Sequence, residues 1–115
     1  MLDLLTIILQ GSQTPVVERV WGGGSGPVTG NWSDPQNWSD DSVPTSTDVA
    51  KFNATSTAAI TVNVDANCKK LTTESGYTGT ITVDKGKTLT VANDTGLTIE
   101  ANTTLVNNGT IIAGS

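Results

Sequence analysis

Short alternations of apolar and polar residues fill the second half of the chain. Ile60-Thr61-Val62-Asn63-Val64, Thr80-Ile81-Thr82-Val83, Thr88-Leu89-Thr90-Val91, Leu97-Thr98-Ile99, Thr104-Leu105-Val106 and Thr110-Ile111-Ile112 each predict a strand. Period-two alternation places the apolar side chains of such a segment on one face. Turn-forming residues separate the segments: Glu74-Ser75-Gly76, Asp84-Lys85-Gly86, Asn93-Asp94-Thr95-Gly96 and Asn107-Asn108-Gly109. The leading apolar residues Ile81, Leu89, Leu97 and Leu105 fall at an even eight-residue spacing, a weak internal repeat.

A hairpin meander and a solenoid both produce this spacing. Strand–turn–strand units with no helical interval fit an all-β, short parallel β-helix-like solenoid whose inward aliphatics stack. A small β-sandwich is the alternative. The Asn107-Asn108-Gly109 turn does not decide between them, because Asn-Gly is also a strong hairpin signal.

The amino end is patterned differently. Leu2, Leu4, Leu5, Ile7, Ile8 and Leu9 form an apolar run too short to span a bilayer, which takes about 20 residues. Asp3 is the only early side-chain charge, so the run lacks the basic start of a secretion signal and reads as part of the mature protein. Val16, Val17, Val20 and Trp21 continue the apolar character, and Gly22-Gly23-Gly24-Ser25-Gly26 follows as a flexible link. The expected division is an extended anchoring arm over 1–21, a Gly-rich hinge over 22–30 and an all-β body over 31–115. Leu2, Leu4, Leu5, Ile7, Ile8, Leu9, Val16 and Val17 are the candidate partner-binding residues of the arm.

Between hinge and strands, Asn31-Trp32-Ser33-Asp34 recurs as Asn37-Trp38-Ser39-Asp40. Two Trp residues so close together bear on packing or on recognition. Trp32 and Trp38 either stack on sugar rings or plug the open end of a β-structure. Asp34, Asp40, Asp41 and Asp48 have no EF-hand spacing for calcium, and capping of turns is the expected use.

The pattern Gly30 to Ser39, then Val43 to Thr45, then Asp48 to Phe52, resembles the opening of bacterial surface and autotransporter-type β-helical proteins. There such a stretch precedes Thr/Val/Gly/Asn-rich strands. The resemblance covers about a fifth of the chain. It implies a β-helical architecture and brings no catalytic residues. The chain departs from that family in lacking a convincing secretion signal and in its shortness.

Composition narrows the function classes. Only 36% of the 115 residues are hydrophobic and 4% aromatic, so the core is lean and burial against a partner or a second copy is expected. The net charge of −5 disfavours nucleic acid and anionic lipid. With no His and one Cys, neither a catalytic triad nor a zinc cluster nor an intrachain disulfide is available. Cys68 reads as structural. Catalysis and cofactors are not expected.

The function expected is that of a virion structural protein, a bacteriophage capsid decoration or cement protein at the virion surface. Its arm would dock on a major capsid protein or on copies of itself, with a homotrimer favoured. This rests on architecture and analogy. The alternatives are a bacterial cell-surface adhesin or surface-layer component, and a carbohydrate-binding module using Trp32 and Trp38.

Overall fold

The structure, a computed structural model, describes residues 17–92 and 96–113. It is all-β, with ten strands in three sheets. The strands are β1 (Val17–Val20), β2 (Asp48–Phe52), β3 (Ile60–Val62), β4 (Ala66–Cys68), β5 (Lys70–Thr73), β6 (Thr80–Val83), β7 (Thr88–Val91), β8 (Leu97–Thr98), β9 (Thr104–Asn107) and β10 (Thr110–Ala113). The first sheet runs β1-β2-β5-β8, the second β3-β6-β9 and the third β4-β7-β10.

Every pair of these strands is parallel. After β2 the chain visits the second, third and first sheets in turn, and repeats that order. Among the described residues no two successive strands form an antiparallel hairpin, and the sole antiparallel contact is an isolated bridge between Trp21 and Trp38.

Register explains the eight-residue spacing. Ile81 lies in the second sheet, Leu89 in the third, Leu97 in the first and Leu105 back in the second, opposite Ile81. Parallel pairing sets like positions over one another, which produces apolar columns. Ile60, Ile81 and Leu105 form one, and Ala66, Leu89 and Ile111 a second. Ala50, Leu71 and Leu97 form a third. Their middle members Ile81, Leu89 and Leu71 are fully buried, each worth about 1.5–3 kcal/mol.

The corners stack as well. The turn at Asp84–Lys87 closes through Lys87 N–H to the Asp84 carbonyl, and Gly86 adopts φ +79° within it. Asn107-Asn108-Gly109 lies on this turn and leads into a different sheet, so it makes a corner and not a hairpin. A Cβ on Gly109 would sit 2.3 Å from the carbonyl oxygens of both Asp84 and Lys87. Close backbone approach is what requires glycine there.

Two parts of the expected division are placed differently. Val17–Val20, reckoned with the arm, form β1 and pair along β2, and Trp21 is wholly buried in the core. The Gly-rich stretch is a packed strap: Gly22 N–H donates to the Asn37 carbonyl at 2.6 Å, and a Cβ on Gly24 would meet the Gln36 carbonyl oxygen at 1.9 Å. A missing side chain serves tight contact as readily as freedom. Leu2, Leu4, Leu5, Ile7, Ile8, Leu9 and Val16 lie outside the described residues.

Candidate functional site

The Trp segment folds over the β1 side of the sheets. Trp38 is the hub of an edge-to-face cluster, the geometry aromatic quadrupoles favour. Its ring centroid lies 4.9 Å from Trp32, 5.2 Å from Trp21 and 5.7 Å from Phe52. Phe52 continues to Tyr77 at 5.2 Å. All five aromatic residues of the sequence are therefore in one cluster, each at 0% exposure.

Polar edges of the cluster are tied down. Trp38 Nε1 donates to the Trp32 carbonyl at 2.9 Å. Trp21 Nε1 and the Tyr77 hydroxyl both donate to the Ala58 carbonyl, at 3.1 and 2.7 Å. The Trp32 indole N–H has no hydrogen-bond acceptor among the described residues.

Trp32 and Trp38 thus present no ring face to a sugar. Trp32 borders a groove of about 430 Å³ between Val43–Ser46 and Val64–Asn67, whose polar groups Thr45, Ser46, Asp65 and Asn67 are all exposed.

Asn37, which the sequence marks only as a member of the repeat, holds the segment together. It is completely buried, and its amide makes three bonds. Nδ2 donates to Thr29 Oγ1 and to the Asn31 carbonyl, both at 2.9 Å, while Oδ1 accepts from Thr29 N–H at 3.0 Å. The serines of the two repeats also have definite tasks. Ser39 Oγ accepts from Val20 N–H at 2.8 Å and donates to the Glu18 carbonyl at 3.3 Å, closing the outer edge of β1. Ser33 pairs with the Asn63 side chain through two bonds. The Asn-Trp-Ser repeat is itself the signal that these positions act together.

The four aspartates are spread over local bonds and ion pairs. Asp34 accepts from the Thr29 hydroxyl and Asp41 from Ser25 N–H. Asp48 accepts from both N–H and hydroxyl of Thr45. Asp40 pairs with Arg19 at 3.1 Å, and Arg19 also lies 3.6 Å from Asp48. Asp40 and Asp41 take φ of 59° and 51°, a left-handed region that Asp enters more readily than most side chains. Among the described residues, no three His, Cys, Asp or Glu side chains gather as a metal site. No helix there is long and apolar enough to cross a membrane.

Cys68 points into the core from β4, and burial pushes its thiol up to about 12. Such a thiol holds its proton at neutral pH and is a poor nucleophile. Burial likewise raises the Tyr77 phenol to about 12. Val17, the one candidate partner-binding residue of the arm within the described region, opens β1 and is 36% exposed.

The far side differs. The strands β8, β9 and β10 are the last of their sheets, and the inward side chains Leu97, Ile99, Leu105 and Ile111 are only partly covered. Val106 and Ile112 are exposed at 36% and 47%.

A family model described as a domain of unknown function (DUF8693) matches residues 20–115, and the chain belongs to that family. The match begins at the end of β1 and takes in the whole Trp segment and the strands that follow. No curated protein and no solved structure matches the chain.

Proposed function

We propose that this DUF8693 member is a non-enzymatic structural protein, a short parallel β-helix capped at one end, which serves in a surface assembly. The carrying observation is the contrast between its ends. The three Trp residues, Phe52 and a set of side-chain bonds close the β1 end, while the last strands leave aliphatics partly uncovered. The three-sheet order supports closure into a β-helix, because parallel strands visited in one repeating order are the pattern of stacked coils. The polar groups near the Trp cluster support packing and turn closure.

The setting we favour is the surface of a bacteriophage particle, with the apolar run at Leu2–Leu9 as the anchor on a capsid protein. A rigid Thr-rich body joined to a greasy terminal segment fits decoration of a lattice. Quantitative mass spectrometry of purified particles would find this chain in fixed stoichiometry, with its Leu2–Leu9 segment retained. Particles without stoichiometric copies would rule the setting out.

The second reading is a bacterial surface protein, favoured by the Gly30–Ser39 resemblance to β-helical adhesins. It is distinguished by recovery of the chain in the cell-surface fraction with roughly the first 20 residues removed.

A further inference from the structure

We infer that the groove between Val43–Ser46 and Val64–Asn67 takes an extended, basic peptide segment of another protein as an added strand on β4. The inference goes beyond the assembly reading and does not depend on its setting.

The Trp-capped end supplies the first argument. Each sheet ends there in one strand: β1, β3 or β4. Two of these edges are closed. Along β1, Ser39 Oγ accepts from Val20 N–H and donates to the Glu18 carbonyl. Along β3, Trp32 N–H donates to the Thr61 carbonyl at 2.9 Å and Thr61 N–H to the Gly30 carbonyl at 2.7 Å. The β4 edge is open. Ala92 N–H donates to the Cys68 carbonyl, so Cys68 turns its backbone towards β7 and Asn67, one residue earlier, turns its own to the outer side. A contact begins on that side, where Lys69 N–H donates to the Asp48 carbonyl at 2.6 Å. It goes no further, because Asp48 N–H bends back to the Thr45 carbonyl at 3.0 Å. Among the described residues, no partner meets the Asn67 backbone on its outer side.

The groove beside this edge supplies the second argument. Its volume of about 430 Å³ leaves room for a short strand segment. Trp32 is on its lining, wholly buried, with an indole N–H that has no acceptor among the described residues. Unpaired strand backbone and an unmet buried donor are both satisfied by main-chain amides, the chemistry of strand addition. Val43, Pro44, Val64 and Ala66 offer apolar contact to its side chains.

Charge selects the partner. Asp65 is the one charged residue on the lining, and it is exposed. With a net charge of −5, the chain repels acidic segments and further copies of itself, and favours Lys or Arg opposite Asp65.

The test titrates the full chain with the end-blocked peptide Thr-Val-Lys-Val-Thr, followed by nuclear magnetic resonance. The Asn67 amide and Trp32 indole protons are expected to shift together, and the Asn67 amide to slow in hydrogen exchange. The same peptide N-methylated at alternate amides lacks the strand donors and is expected to bind about tenfold more weakly or worse. Thr-Val-Glu-Val-Thr is expected to bind more weakly as well. Asn67→Pro deletes only the outward N–H, a change that edge strands tolerate, and is expected to keep the native circular dichroism while losing the peptide. The N-methylated peptide makes the same distinction on the wild-type chain should that variant not fold. Absence of both shifts up to millimolar peptide overturns the proposal, as does equal affinity for the N-methylated or the Glu peptide. Slow exchange of the Asn67 amide in the free chain overturns it too, since another part of the chain or a second copy would then be the occupant.

Discussion

Trp38 donates its indole hydrogen to the main-chain carbonyl of Trp32, 2.9 Å away, and so fastens the second Asn-Trp-Ser-Asp repeat to the first. The same ring packs edge-to-face on Trp32, Trp21 and Phe52. Truncating Trp38 to Ala removes the hub and leaves a cavity, with an expected cost of about 3–5 kcal/mol. Urea unfolding followed by far-UV circular dichroism checks this. A loss below about 0.5 kcal/mol, the range of ordinary surface substitutions, would show that the segment is dispensable.

Asn37→Ala strips the amide partner from Thr29 N–H and from the Asn31 carbonyl, two part-buried bonds. Each such bond lost costs about 1 kcal/mol. The midpoint of chemical unfolding should fall accordingly, and Asn37→Asp should be no remedy, because its carboxylate cannot donate to the Asn31 carbonyl. Equal stability of Asn37→Asp and wild type would contradict the assigned bonds.

Two glycines separate strain from contact. Gly86 has φ +79° and nothing within 4 Å of where an alanine methyl would stand, so Gly86→Ala should cost about 1–2 kcal/mol through backbone conformation alone. At Gly109 the same methyl would meet two carbonyl oxygens at 2.3 Å, so Gly109→Ala should cost about 3 kcal/mol through displaced backbone. Thermal melts of the pair should rank Gly109→Ala well below Gly86→Ala; the reverse order would mean that the corners do not stack.

β6 and β7 are legible in the sequence because inward Ile, Leu and Val contrast with outward Thr, and β9 and β10 through their Thr-Leu-Val and Thr-Ile-Ile runs, although Val106 and Ile112 face outward. β4 is hidden, since its inward residues are the small Ala66 and Cys68. β5 has Leu71 as its only large apolar residue. The Trp pair stands out in the sequence, but its burial depends on Trp21, Phe52 and Tyr77, which arrive from distant positions. Asn37 escapes notice because a buried amide and an exposed turn Asn have the same local sequence. The glycine run misleads for a related reason: an open linker and a close backbone crossing both call for a missing Cβ.

Alkaline pH should weaken the fold. The folded chain holds Cys68 and Tyr77 protonated up to about 12, whereas the ordinary values are 9.0 and 10.0. The unfolded chain releases these protons first, so their stabilising effect is complete below about pH 9 and is lost as pH rises towards 12. Urea midpoints measured across the alkaline range should decline, and Cys68→Ala should delay the onset by removing the lower of the two titrations. A flat wild-type profile over that window would be the contrary result.

Gathering all three tryptophans at the β1 end has a spectroscopic consequence. Indole fluorescence is a local reporter of that end, and fraying of β8 to β10 is silent to it. A loss of order that begins at the last strands registers in backbone hydrogen exchange while the indole emission still reads as native.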